Sequence, residues 1–326
     1  MKVCIFGAGA IGGYIGASLA RIGVDVSLIA RGPHLAAMQE NGLTLRTRTD
    51  EFTVRPFCTD DPAKAGPQDY VLIALKAHGV PGIVPALQPL FGPDTTVVGA
   101  QNGLPWWYFY KHGGEYDGQR LHSVDPGNVQ WDGIGPERII GSVVWQAAEL
   151  VKPGVVEHSY GERMPLGEPD GSRSDRAVAL SKVLIEAGIK SPVRPNIRNE
   201  IWIKLWGNLS FNPVSVLTHA TLVTLARDPG VSAVIVRMME EAQQIGETLG
   251  VRFPMTVADR LKAAEEVGEH KTSMLQDLET GRPMEIEPLI GVVAELGRLV
   301  GVPTPTIDMV YNLVVLRAKE AGCYAG

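Results

Sequence analysis

Cysteine is scarce in this 326-residue chain: Cys4, Cys58 and Cys323 lie far apart and show no C-x-x-C spacing. That argues against a disulfide framework and a structural zinc site, and it fits a reducing cytoplasm. No cluster of Lys or Arg stands out, and with a formal charge of −6 the chain lacks the basic field that nucleic acid requires. Long hydrophobic runs are also missing, except at residues 3–20, VCIFGAGAIGGYIGASLA, which carry no charge and mimic a signal peptide or short membrane span. Glycines at 7, 9, 12, 13 and 16 make this stretch a poor anchor. A strand, a glycine turn and a helix start account for each of them. Neither a membrane nor a polynucleotide is therefore expected as a partner.

What is present suggests two domains with a large core, since 45% of residues are hydrophobic and 20% charged. Apolar runs at KVCIFG, DVSLIA, YVLIAL and TTVVGA alternate with helical patterns, including one near 80–90, as βαβ units around a parallel sheet do. A Trp- and Tyr-rich insertion at 104–137 reads as an ordered excursion. Strand patterns resume after it, with a turn at Pro153-Gly154, a helix near 174–187 and a short strand at 190–194. Beyond 197 the pattern is helical: 197–212, 231–249, 253–268, 273–280, 285–300 and 305–321. The expected fold is α/β: a Rossmann-type dinucleotide-binding domain over 1–196, then an all-α catalytic and substrate-binding domain over 197–326.

Gly7-Ala8-Gly9-Ala10-Ile11-Gly12 matches G-x-G-x-x-G between a strand and a helix. Gly7 makes the tight turn, Gly9 lets backbone approach a pyrophosphate, and Gly12 lets the helix pack on the strand. At the end of the second strand, an NAD enzyme usually places an acid on the ribose hydroxyls. Arg31 stands there instead, nineteen residues past Gly12. A guanidinium suits a 2′-phosphate, which points to NADP(H), with His34 as a helper. Lys76 in ALKAHG and Asn102 in AQNGLP sit where later strands should end near the coenzyme.

The stretch RNEIWIKLWGNLSFN places Trp202, Leu205, Trp206 and Leu209 on one helical stripe and Lys204, Asn208 and Asn212 on another. Domain junctions form substrate clefts, and ketone reduction needs a proton for the developing alkoxide. A lysine ammonium can polarise the carbonyl and deliver that proton, while neutral amides hold substrate oxygens. A dinucleotide sensor without chemistry would leave this stripe without purpose.

With GAGAIGG, LKAHG, QNGLP, PGVVEH with LGEPDG, WIKLWGNLSFNPVSVLT and SMLQDLETGRPMEIEPLIG, the chain resembles the ketopantoate reductases over nearly its whole length. The resemblance implies NADPH-dependent reduction of 2-dehydropantoate to pantoate, as in pantothenate biosynthesis. It implies Lys204 as general acid, with Asn208, Asn212 and Ser273 on the 2-oxo acid and Glu285 on substrate hydroxyl or coenzyme ribose. Asn102 would touch both ligands, Gly7 to Gly12, Arg31 and Lys76 would hold NADPH, and Ala147 would line the nicotinamide. Leu222 and His270 stand where some members carry Asn, and the insertion is longer and more aromatic than in compact members. Another small 2-oxo acid is the alternative substrate, with Trp106, Trp107 and Tyr108 shaping the pocket. Apolar C-terminal helices leave room for a homodimer.

Overall fold

Strand β1 (Lys2–Phe6) is apolar because it lies at the centre of a parallel sheet, with Val3 to Phe6 all buried. The structure, a computed structural model, describes residues 1–325. Besides β1, the described residues form β2 (Asp25–Ile29), β3 (Leu43–Arg46), β4 (Glu51–Val54), β5 (Phe57–Thr59) and β6 (Gln68–Ile73). They continue with β7 (Phe91–Gly99), β8 (Ile139–Ser142), β9 (Ala147–Lys152), β10 (Val155–Tyr160) and β11 (Leu166–Gly167). Seven strands form one sheet in the order β11-β8-β7-β6-β1-β2-β5, parallel except for β11. Phe6 pairs with Ile29 of β2 on one side and Ile73 of β6 on the other. Strand order thus reverses at β1, and its carboxyl end is the switch point at which such sheets bind ligands.

A second sheet, β4-β3-β10-β9, explains why residues 3–20 mimic a membrane segment. Helix α1 (Ala10–Arg21) packs against both sheets. A Cβ on Gly16 would stand 2.6 Å from Leu28 of β2, and one on Gly13 would stand 2.8 Å from Val156 of β10. Tyr14 stacks on His158 of β10 with centroids 4.4 Å apart. A helix covered on two sides has little use for charge. Pro153 and Gly154 do turn the chain between antiparallel β9 and β10. Strands β3 to β5 go unread in the sequence because each has only three or four residues.

The first unit also holds α2 (Gly32–Asn41), α3 (Val84–Leu87), α4 (Val129–Ile134) and α5 (Asp175–Glu186), the last capped by Ser174. The helix expected near 80–90 is instead a string of short turns around α3. Pro81, Pro85 and Pro89 recur every fourth residue, and each removes an N–H donor. The strand expected at 190–194 is reduced to single bridges at Lys190 and Val193. The insertion is ordered: Trp107, Tyr108 and Phe109 are buried, and Trp107 presses on Gly141 of β8. These rings fill a core of the first unit.

In the second unit α6 (Ile197–Thr218) continues past the expected end at 212, straight through Pro213. Proline inside a helix costs about 3 kcal/mol, and burial of Phe211, Val214 and Val216 offsets it. Helices α7 (Leu222–Arg227), α8 (Pro229–Thr248), α9 (Val257–Val267) and α10 (Ser273–Glu279) follow. A π-turn, Glu287–Gly291, leads into α11 (Val292–Val300), and α12 (Pro305–Glu320) comes last. No helix among the described residues is long and apolar enough to cross a membrane.

The first unit comprises Met1–Gln101, Trp106–Arg120 and Gly127–Ile197, and the second Asn102–Pro105, Leu121–Pro126 and the chain from Arg198 onward. A single cut at 196/197 misses the two short stretches, because hydrogen bonds hold them to the helical unit. Leu104 N donates to Pro288 O at 2.9 Å, and the Glu295 carboxylate accepts from the backbone N–H groups of His122 and Ser123 at 2.8 Å each.

Candidate active site

In the first unit, the loop after β1 is built for close approach. Gly7 has φ +99°, and Gly7 N and Ala8 N both donate to Ile29 O, at 3.1 and 2.9 Å. A Cβ on Gly12 would stand 2.1 Å from Gly7 O and 2.9 Å from Ile5, so only glycine lets α1 start so close to β1. A Cβ on Gly9 would meet nothing within 4 Å. That is the open side, where the first residues of α1, Ala10 and Ile11, begin the helix. The first turn of α1 has no capping side chain and no acidic residue, which leaves unpaired N–H groups and the helix dipole for an anion. The loop therefore fits a dinucleotide pyrophosphate.

Arg31 follows β2 by two residues, next to the Ile29 carbonyl that anchors the loop. It is exposed, and its side chain has no partner among the described residues. His34 does not help it. Its Nε2 donates to Ala8 O at 2.6 Å and its Nδ1 accepts from Gly154 N at 2.9 Å. Both ring nitrogens are spent on backbone, and burial lowers the pKa, so the imidazole is a neutral pin between the loop and the turn that leads into β10. Lys76 is half-buried just beyond β6, beside Ala74 and Leu75, which pack on Gly7. Ala147 opens β9, and its carbonyl accepts from Ser159 Oγ at 3.2 Å.

In the second unit, three sequence-distant groups meet. The Lys204 ammonium donates to Asn102 Oδ1 at 2.8 Å, and Asn102 Nδ2 donates to Glu285 Oε2 at 3.0 Å. Glu285 is buried. Burial pulls the Lys204 pKa from 10.5 down to about 8, and the Glu285 carboxylate opposes the fall. A lysine so tuned remains an acid at neutral pH but a far stronger one than in water.

Sequence reasoning missed the residue that makes this triangle possible. Gly103 has φ +90°, and a Cβ there would stand 2.2 Å from Pro288 O in the π-turn. Glycine alone lets the strand-end segment lie flat on that turn and hand Asn102 to Glu285. The N-G dipeptide was the only local signal.

Farther along α6, Asn208 is half-buried and Asn212 buried, and Asn212 Nδ2 has no hydrogen-bond partner among the described residues. An unpaired buried amide costs about 1–3 kcal/mol, which a ligand oxygen would recover. Ser273 is exposed at the start of α10. Its neighbour Thr272 is joined to Ser215 of α6 at 2.5 Å. No group of three or more His, Cys, Asp or Glu residues that could hold a metal occurs among the described residues.

A glycine-turn nucleotide sheet joined in one chain to a helical unit with a buried, amide-held lysine defines a two-domain nicotinamide-dependent dehydrogenase. Family comparison makes this specific. The ketopantoate reductase PanE/ApbA model matches residues 3–171 and its C-terminal counterpart matches 196–318, so the chain belongs to the ketopantoate reductase family. A 2-dehydropantoate 2-reductase from Mesorhizobium japonicum is 54% identical over 326 residues, covering all of both chains. A protein from Ralstonia solanacearum MolK2, provisionally described as a ketopantoate reductase, superimposes with TM-score 0.95 at 41% identity over 99% of each chain. A PanE/ApbA family ketopantoate reductase from Ralstonia eutropha JMP134 does so with TM-score 0.84 at 28% identity, over 99% of this chain and 100% of that one. Membership makes the chain an oxidoreductase of 2-oxo acids with NADP(H) as coenzyme.

Proposed function

We propose that this enzyme reduces 2-dehydropantoate to pantoate with NADPH preferred over NADH, the step that pantothenate synthesis requires. The observation that carries the reading is the Lys204–Asn102–Glu285 triangle, with the unpaired Asn212 amide on the same helix. NADPH, when bound, supplies hydride to the carbonyl carbon. Lys204 holds the carbonyl oxygen, polarises it, and passes a proton from Nζ to the alkoxide as the C–H bond forms. Asn102 aims the ammonium and bridges it to Glu285. Glu285 keeps the ammonium protonated, and Asn208, Asn212 and Ser273 hold substrate oxygens. Gly7 to Gly12 and Lys76 hold the coenzyme phosphates and ribose, and the Ala147 backbone lines the nicotinamide. The assay is NADPH oxidation with 2-dehydropantoate against a panel of small 2-oxo acids. A clear preference for another acid overturns the substrate assignment.

Coenzyme preference rests on Arg31, which has no acidic neighbour at the end of β2 and is free to grip a 2′-phosphate. Arg31→Ala should raise the KM for NADPH roughly 30-fold, the worth of one charged hydrogen-bonded pair, and leave that for NADH unchanged. A retained preference for NADPH removes Arg31 from the site.

The pH profile follows from the lowered pKa of Lys204. The protonated form is the active one, so kcat/KM should be flat near neutrality and fall about tenfold per pH unit above about 8. Because Glu285 holds that pKa up, Glu285→Gln should move the alkaline limb to lower pH. A limb that stays in place in Glu285→Gln contradicts the coupling.

A further inference from the structure

The Lys204 triangle leaves the substrate's own charge unmatched. A 2-oxo acid is an anion at neutral pH. Lys204 and Glu285 cancel each other, and Asn208, Asn212 and Ser273 are neutral. One cation of the helical unit lies against the same helix with no ion-pair partner among the described residues. Arg260, on α9, rests its guanidinium on α6 at Gly207, where a Cβ would stand 2.0 Å from Nη2, 2.7 Å from Cζ and 3.0 Å from Nε. Gly207 is one turn beyond Lys204 and adjacent to Asn208 in the chain. At about 100° per residue Gly207 lies about 60° to one side of Lys204, and Asn208 about 40° to the other side of that lysine.

Glycine inside a helix costs about 1 kcal/mol relative to alanine. At 207 it clears room for this guanidinium.

Arg260 is partly buried, yet no ion pair or side-chain hydrogen bond engages it among the described residues. The nearby acids are spent elsewhere. The Asp259 carboxylate accepts from Thr256 N and Oγ1 in the cap of α9, and Glu265 pairs with Arg227. Three and four residues either side of Arg260 stand Thr256, Val257, Ala263 and Ala264, none of them acidic. Burial lowers its pKa with no opposing carboxylate. A partly desolvated, unpaired guanidinium is costly in isolation and is suited to bidentate capture of a carboxylate.

We propose that Arg260 is the residue that binds the substrate carboxylate, alongside the lysine that takes the ketone oxygen. The inference rests on the 2-oxo acid reading given above. It predicts selection by charge: the acid is held, and a neutral ketone of the same shape is not.

The test compares wild type, Arg260→Ala and Arg260→Lys at saturating NADPH, with 2-dehydropantoate and with its uncharged internal ester, 2-dehydropantolactone. Arg260→Ala should raise KM for the acid about 50-fold with kcat changed less than about threefold, and leave KM for the lactone unchanged. Arg260→Lys, a point charge without the fork, should fall between. Added guanidinium should lower the KM of Arg260→Ala for the acid, a rescue that a purely structural role would not give. A KM for the acid within twofold of wild type, or equal losses on acid and lactone, overturns the assignment. If wild type reduces no 2-oxo acid, the proposed function fails on its own. Calorimetric titration of the NADPH-loaded proteins with pantoate then decides the role of Arg260: binding lost only in Arg260→Ala supports it, and binding that is equal or absent in both overturns it.

Discussion

Lys204→Ala should lower kcat by about three orders of magnitude, within the range that general acids contribute, while the Kd for NADPH stays within about twofold of wild type. Without the ammonium the alkoxide has no adjacent proton. The Glu285 carboxylate, no longer balanced, also faces an anionic substrate, so KM for the 2-oxo acid should rise together with the fall in kcat. The split between intact coenzyme binding and lost turnover is diagnostic, because a folding defect would damage both. Stopped-flow measurement of hydride transfer, with coenzyme binding followed by nicotinamide fluorescence, reads the two separately. A variant that keeps more than a tenth of the wild-type rate removes Lys204 from the chemistry.

The second large effect is expected at the glycine loop, where two neighbouring positions should fail in different ways. Gly9→Val meets nothing at its Cβ, so thermal stability should fall by no more than the ~1 kcal/mol of a poorer N-cap. The Kd for NADPH should rise about 100-fold, because the branched side chain occupies the side from which the pyrophosphate approaches. Gly12→Ala drives a methyl into the Gly7 carbonyl, 2.1 Å away, with Ile5 and Ala74 closing the other sides. Neither backbone can yield without parting α1 from β1, and the cost should be about 3 kcal/mol, the upper range for overpacking. In a two-unit chain of this size Tm should fall by roughly 6–12 °C. Calorimetry alongside coenzyme titration separates the two variants. Equal melting points would show that Gly12 is not a packing constraint.

Much of the fold was legible because it repeats at short range. The βαβ alternation, the Gly7–Gly12 loop and the stripe of Lys204, Asn208 and Asn212 all recur within one or two helical turns or a single strand–turn–helix. Misreadings came where a local rule met a longer-range constraint. Pro213 ends a helix by propensity, yet α6 continues because its far side is buried. The prolines at 81, 85 and 89 act the other way and break an apolar stretch into short turns. His34 resembles a phosphate ligand by position but is consumed by two backbone hydrogen bonds from opposite directions, one of them to Gly154, 120 residues away. Gly207 passes for an incidental helical glycine until Arg260, from a different helix, is seen lying on it.

The chain by itself determined the glycine loop and the class of coenzyme and singled out Lys204 as the proposed proton donor, because each needs only a residue type at a fixed spacing along one element. Tertiary structure decided which groups tune that donor. Asn102 reaches Lys204 across 102 residues and Glu285 across 183, and no periodicity spans such intervals. It also set the acidity of Lys204, since a pKa of about 8 follows from the burial of the ammonium and the nearness of one carboxylate. Burial is a property of packed neighbours, and a linear pattern does not contain it.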